Sequence, residues 1–385
     1  MAKIFYEKGK KYNCTVTGKP YFRTSVTING KVHQVYGDGE KDAKRKVEEL
    51  KSQAGKGFDL SYSKARFGEA LRSWLYDVKR VDKNLKASSF SSYEAQFRNH
   101  IEPFPVCSVL LKNLTRAHIQ KYVTQLHDEQ GCEAPTIVAA LRVVRMFNKW
   151  AVEEGMLTKD VCKGVVIPGK YSKAAHDFDI FSEDERARLL DYMDRTGYMY
   201  DTLIKLAFAT GMRKGELLAL RWEDIYDGSI HVRRSTARAV HIDGEGNRSN
   251  KREVWEPKTK NAVRTIPLLR ETQKMLSQHK AAQMEFFLAN RLGRPEYVFT
   301  TTTGTLIEAT NLYSSYRSLL EHAGIKYRKF HAIRHTFATE AIRHGVDVKD
   351  LQLLMGHSDI SMTYRYVQSD EDSKRNAIEM MGVMM

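Results

Sequence analysis

At 385 residues the chain is longer than a single hydrophobic core usually organises, so two or three domains are expected. A composition of 42% hydrophobic and 28% charged residues excludes a disordered tail, and no apolar stretch approaches the about 20 residues that cross a bilayer. Lys and Arg number 62 against 47 Asp and Glu, a formal net charge of +15 that favours a polyanionic partner, nucleic acid ahead of an anionic membrane.

The first residues, 1–13, carry lysines but no apolar core of the kind a signal peptide needs, which makes the cytoplasm the expected location. Cys14, Cys107, Cys132 and Cys162 stand far apart, a pattern of reduced thiols rather than of disulfides or a zinc site. From Tyr21, two runs rich in β-branched residues flank Asn29-Gly30, the strongest two-residue turn signal, so 21–36 is predicted as a hairpin. Either 4–6 or 12–16 supplies a third strand. A charged helix over 39–53 follows, with Ala43, Val47 and Leu50 at helical spacing. Lys19, Arg23 and Lys31 decorate this sheet, and a basic sheet face can enter a major groove.

After a Gly55-Lys56-Gly57 linker the pattern turns helical through Phe67, Leu71, Trp74, Leu75 and Val78. Further helices are predicted over 88–100, 115–130 and 134–154, the last with Ile137, Leu141, Val144, Phe147, Trp150 and Ala151 down one side. This bundle carries Arg98, Lys112, Arg116, Lys121, Arg142 and Lys149 as candidates for phosphate contact. A second linker around 168–177 leads into Phe181-Ser182-Glu183-Asp184-Glu185, a capping box that opens a third domain. That domain reads as mainly helical, with 229–240, 252–258 and 263–267 forming a small antiparallel sheet. The fold class is thus multidomain and mainly α with small β-sheets: an N-terminal three-stranded sheet plus helix over 1–57, a helical bundle over 62–168, and a mostly α mixed domain over 178–385.

The third domain holds the residues suited to chemistry. Two glycines break a helix in Gly211-Met212-Arg213-Lys214-Gly215-Glu216, which places Arg213 at the mouth of the next helix with Glu216 in its first turn to orient it. In His331-Ala332-Ile333-Arg334 a spacing of three puts a proton-handling imidazole and a phosphate-gripping guanidinium on one helical face. Gly356 ends a helix before His357, and Ser358 or Asp359 can cap the next. Tyr364 and Tyr366 lie two positions apart, so only one of them points into a given site. Pro257 to Pro267 reads as a hairpin with Lys258 and Lys260 at its tip.

In this order, Arg213, Lys258, His331-x-x-Arg334, Gly356-His357 and Tyr366 resemble the signature of the tyrosine recombinase, or phage integrase, family. The resemblance runs from Phe181 to the C-terminus, and the helical segment 62–168 is similar to that family's core-binding domain. The N-terminal module is similar to the arm-binding domain of integrases from phages and conjugative transposons. The family's spacing of nine from the Gly-His histidine to the nucleophile selects Tyr366 over Tyr364, and its hairpin lysine matches Lys258, with Lys260 as the alternative.

The resemblance implies an enzyme of site-specific recombination serving a mobile genetic element. Arg213 and Arg334 would clamp the non-bridging oxygens of the scissile phosphate, and His357 would add a hydrogen bond. His331 would either accept the tyrosine proton or support the phosphate. Surrounding positive charge should ease formation of the Tyr366 phenolate, Lys258 would protonate the departing 5′ oxygen, and a 3′-phosphotyrosine would conserve the bond energy. No metal, nucleotide or other cofactor is implied. The implied partners are double-stranded DNA attachment sites of core and arm type, a homotetramer built around a Holliday junction, an excisionase and a host DNA-bending protein, with a bacterial, nucleoid-associated location and no membrane. The apolar set in 373–385 would dock in cis or on a neighbouring subunit. Two alternatives use the same residues: a topoisomerase of type IB, and a DNA-binding or architectural protein with an inactive site.

Overall fold

A computed structural model describes residues 4–7, 9–16, 18–28, 31–55, 62, 64–168, 179–256 and 263–367. The chain divides into two compact units, one of residues 1–172 with 240–249, the other of residues 173–239 with 250–385. The structure is mainly helical with small sheets, and among the described residues no helix is long and apolar enough to cross a membrane.

In the first unit, β1 (Phe5–Glu7) pairs with β2 (Lys10–Tyr12), while β3 (Cys14–Val16), β4 (Lys19–Ile28) and β5 (Lys31–Gly37) form an antiparallel sheet in that order. Of the two segments competing for the third place, 12–16 supplies the strand, and 4–6 joins a separate hairpin instead. The Asn29-Gly30 turn lies outside the described residues. Val26 and Val35 are buried on the face that packs against α1 (Glu40–Gly55). Gly37 permits this contact, because a Cβ there would lie 2.2 Å from the Ala43 backbone nitrogen. The period of two sends Arg23, Ser25 and Thr27, paired with Tyr36, Gln34 and Val32, to the opposite, exposed face.

The same unit contains the helices α2 (Phe67–Ser73), α3 (Ala87–His100), α4 (Arg116–Asp128) and α5 (Ala134–Glu153). The helical pattern expected through Val78 changes pitch at Trp74, where Trp74–Lys79 forms a π-helical turn that keeps Trp74, Leu75 and Tyr76 all buried. The α5 stripe buries Ile137, Leu141, Val144, Phe147 and Ala151, whereas Trp150 is only half-buried. Arg98, Lys112, Arg116, Lys121, Arg142 and Lys149 are exposed.

The second unit opens at α6 (Glu183–Thr196), where the Ser182 side chain accepts the Glu185 N–H and Glu185 accepts the Ser182 N–H. In chain order α7 (Asp201–Thr210), α8 (Lys214–Leu218), β6 (Ile225–Tyr226), β7 (Ser229–Val232), β8 (Ser235–Ile242), β9 (Arg248–Trp255) and β10 (Arg264–Pro267) follow, the end of β8 and the start of β9 falling in the 240–249 stretch grouped with the first unit. The unit ends with α9 (Arg270–Ala289), α10 (Ala309–His322), α11 (His331–Arg343), α12 (Val348–Met355) and α13 (Ser361–Tyr364). The single sheet expected from the sequence is two: β10-β7-β6, and a β8-β9 ribbon. Ile266 pairs with Ile230, and both are buried, which ties β10 to β7 rather than to β9. The strands before and after Lys258 therefore belong to different sheets and are not two arms of one hairpin. Lys258 and Lys260 themselves lie outside the described residues.

Candidate active site

Three breaks in helical structure bring the site of the second unit together. The first is at Gly211, which caps α7 in the left-handed conformation with φ +60°. Arg213 follows in extended backbone as the N-cap of α8, and Glu216 receives both the Arg213 backbone N–H and its Nη1, each at 2.9 Å. The sequence anticipated this pairing. It did not anticipate Arg264 on β10, which donates to both Glu216 oxygens at 3.2 and 2.8 Å and through Nε to the Leu354 carbonyl at 2.6 Å. Burial by itself would raise the Glu216 pKa, but Arg264 and then Arg213 outweigh it and hold the carboxyl at about 2.

The second break precedes α11. From this helix Arg334, 2% exposed, donates Nη1 to the Gly211 carbonyl at 2.8 Å, and Nη2 to the Met355 carbonyl at 2.6 Å and to His357 Nε2 at 2.9 Å. Burial, then the Arg213 charge, lowers its pKa to about 9, so the guanidinium stays charged at neutral pH. His331, one turn earlier, stands exposed at the pocket wall, where partial desolvation followed by the Arg334 and Arg213 charges pushes its pKa below the usual value.

Gly356, left-handed at φ 62°, makes the third break by closing α12, and its carbonyl receives Arg213 Nη2 at 3.1 Å. Past it, Asp359 Oδ1 accepts the Ser361 N–H at 2.8 Å and starts α13. His357 is buried between these helices. Since Arg334 can only donate, His357 Nε2 accepts, and the neutral ring carries its proton on Nδ1, which donates to Thr363 Oγ1 at 2.9 Å. Desolvation, then the charges of Arg334, Arg213 and Arg264, lowers its pKa to about 4. In this arrangement His357 seats Arg334, where the sequence had suggested a donor to phosphate.

The two tyrosines separate as their spacing requires: Tyr364 is 55% exposed and Tyr366 is 5% exposed. The Tyr366 hydroxyl lies 2.8 Å from Nδ1 of His335, a residue the sequence reading passed over although it sits four positions beyond His331 on the same helical face. The expected easing of phenolate formation is outweighed, because burial raises the Tyr366 pKa by more than Arg334, Arg365 and Arg213 lower it. Arg213, His331, Arg334, His357 and Tyr366 all line one pocket of about 660 Å³. A pocket whose wall carries four guanidiniums, three imidazoles and two phenols is shaped for an anion that meets an oxygen nucleophile.

The profile of the phage integrase family matches residues 180–373, and that of its N-terminal SAM-like domain matches residues 66–127. The chain belongs to the phage integrase family. This recombinase is 36% identical, over 96% of its own length and 98% of the relative's, to a XerC-like tyrosine recombinase from Caldanaerobacter subterraneus subsp. tengcongensis. It is 25% identical over 74% of its length to the tyrosine recombinase XerD of Oceanobacillus iheyensis, of which 89% is covered. Its fold resembles that of a Tn1549 transposon integrase in complex with transposon right end DNA, with a TM-score of 0.65 at 20% identity over 81% of this chain and 99% of that one. A lambda integrase dimer bound to a COC′ core site matches with a TM-score of 0.58 at 15% identity over 96% of each chain. The protein is therefore a tyrosine recombinase, an enzyme that cleaves and rejoins DNA.

Proposed function

We propose that this recombinase integrates and excises a mobile genetic element, and that Tyr366 is the nucleophile that forms a 3′-phosphotyrosine with DNA. The observation that carries the reading is the convergence of Tyr366 with Arg213, Arg334 and His331 on one pocket. A phosphodiester gains negative charge on its non-bridging oxygens as the phenolic oxygen adds, so fixed guanidiniums lower the barrier directly. Arg213 and Arg334 clamp the phosphate in this reading, Glu216 orients Arg213, and His357 holds Arg334. Lys258 protonates the departing 5′ oxygen. The reaction needs neither metal nor nucleotide because the covalent bond to tyrosine conserves the energy of the broken one.

Residues 178–385 form the catalytic domain in this assignment. The bundle 62–168 binds core sites through Arg98, Lys112, Arg116, Lys121 and Arg142, and the module 1–57 binds arm sites through Arg23 and Lys31. Arg23 lies on the exposed sheet face, with Tyr36 as its cross-strand neighbour. A tetramer on two duplexes performs sequential exchanges through a Holliday junction, with an excisionase and a host DNA-bending protein setting direction. A second reading, chromosome dimer resolution, is favoured by the XerC-like relative that matches nearly the full length. The reading of the N-terminal sheet module as an arm-site binding face is what favours a mobile element.

The test is a covalent adduct assay on nicked duplexes carrying the ends of the surrounding element, with EDTA present. Adduct from wild type and none from Tyr366→Phe supports the reading. Adduct only on the chromosome-terminus site would turn it to dimer resolution, and adduct from Tyr366→Phe would refute the nucleophile.

A further inference from the structure

The hydrogen bond on the Tyr366 hydroxyl comes from outside the motif that the family resemblance singles out. His335 Nδ1 stands 2.8 Å from that oxygen, with the two ring centroids 5.7 Å apart. Proton transfer at the moment of attack needs an acceptor within this reach, so geometry selects His335 ahead of any more distant base. We infer that His335 takes the phenolic proton of Tyr366 during strand cleavage and returns it during rejoining, a role that rests on Tyr366 being the nucleophile proposed above.

The neighbours support this division of labour. The His331 ring meets His335 edge to face at 4.6 Å between centroids, and it occupies the pocket wall beside Arg334. His331 is thereby left to the phosphate, while His335 attends to the phenol. His357 is committed elsewhere, with Nε2 on Arg334 and Nδ1 on Thr363. Charged groups reach the same pocket from each element around His335. Its own helix contributes His331 and Arg334, and the α7–α8 turn contributes Arg213. The segment after α12 adds His357, Arg365 and Tyr366, and the stretches before α6 and α11 add Asp179, Arg328 and Lys329. Cations predominate, Asp179 being the carboxylate among these, and the His335 imidazole is the group in hydrogen-bond reach of the phenol that can accept a proton.

In cleavage the phenolic oxygen bonds to the scissile phosphorus and the bond from phosphorus to the 5′ oxygen breaks. The phenolic proton moves to His335 Nδ1, and the departing 5′ oxygen takes a proton from a separate ammonium acid, Lys258 in the reading above. Rejoining runs the same transfers backwards. The 5′ hydroxyl attacks the phosphotyrosine and gives its proton to that amine, the bond from phosphorus to the tyrosine oxygen breaks, and the imidazolium reprotonates the phenolate.

The experiment uses the full chain and nicked duplexes that the wild-type protein itself selects from a random-sequence pool by forming covalent adduct. Single-turnover cleavage is measured from roughly pH 5 to 9 for wild type, His335→Gln, His331→Gln and Tyr366→Phe. The inference expects His335→Gln to cleave about 10²- to 10⁴-fold more slowly and to lose the acid limb of the wild-type profile. It also expects free imidazole to speed His335→Ala by about tenfold or more, a rescue that a merely structural role would not show. His335→Gln that cleaves within about threefold of wild type with the acid limb intact overturns the inference, as does loss of that limb in His331→Gln alone. An adduct that persists in Tyr366→Phe overturns the nucleophile and this inference together, whereas a Tyr366-dependent adduct indifferent to His335 overturns this inference only.

Discussion

Replacing Glu216 with Gln should destabilise the second unit by about 3 kcal/mol, a figure reached by two routes. Glu216 is 4% exposed and joins Arg213 to Arg264, whose side chain is 5% exposed, so removing the charge takes a close counterion from two guanidiniums, one of them deeply buried. Breaking such a buried pair from one side typically costs about 3–5 kcal/mol. Independently, lowering a carboxyl from 4.5 to about 2 on folding corresponds to about 3 kcal/mol of stability. Because the folded pKa is depressed, that stability is fully present above the unfolded pKa and is lost as pH falls from about 4.5 through about 2. Calorimetric unfolding of the full chain at neutral pH should show a transition lowered by roughly 6–12 °C in Glu216→Gln. Repeated down to acid pH, the gap between variant and wild type should close. A neutral-pH loss below about 1 kcal/mol, or a gap that persists once wild-type Glu216 is protonated, would refute the ion-pair reasoning.

His357 gives a second acid dependence in a different window. Its folded pKa of about 4 is depressed, so its contribution of about 3 kcal/mol holds above the histidine's usual value near 6.5 and drains as pH falls toward 4; His357→Gln should flatten unfolding curves in that interval. Gly211→Ala should destabilise by about 2–4 kcal/mol and slow cleavage as well, since a Cβ there would lie 2.4 Å from the Phe337 ring in a left-handed backbone whose carbonyl receives Arg334; urea unfolding beside adduct formation tests both effects. Tyr364→Phe, at an exposed side chain, should leave adduct formation unchanged in the same assay. In the first unit, Phe147→Ala should cost about 3–5 kcal/mol by urea titration, because its ring is fully buried between Phe67 and Trp74.

What the sequence made legible was whatever repeats or caps locally. The Ser182 to Glu185 capping box marked the start of α6, and the spacing of Ile137, Leu141, Val144 and Phe147 marked α5, because both signals are complete within a few turns. The glycines at 211 and 356 marked two helix ends for the same reason, and the spacing of two between Tyr364 and Tyr366 already required them to part. Strand pairing was less legible. Which of β7 and β9 would receive β10 depended on Ile230 meeting Ile266, a choice made by burial across the fold rather than by neighbouring residues. Arg264 was hidden because a lone arginine in a short strand looks solvated until Glu216 and the Leu354 carbonyl arrive from other elements. His335 did leave a signal, its four-residue step from His331, but the recognised motif ended one residue before it.

The hydrogen bonds within the site set the positions of its cations. Arg334 spends Nη1 and Nη2 on the carbonyls of Gly211 and Met355 and on His357, and Arg213 spends Nη2 on the Gly356 carbonyl. These bonds hold both guanidiniums in place before any anion arrives, so little reorganisation is needed when charge develops on a phosphate. They also anchor the carbonyls at the C-terminal ends of α7 and α12, which is how one cluster of cations fixes the path of α7, α12 and the segment leading to Tyr366. The same burial that fixes the arginines raises the Tyr366 pKa above the usual phenol value, against the pull of Arg334, Arg365 and Arg213. The Tyr366 hydroxyl has the Nδ1 of His335 at 2.8 Å, within reach for a proton transfer. The guanidiniums are thus placed for an anion in the pocket, and His335 on α11 is the imidazole placed for the phenolic proton.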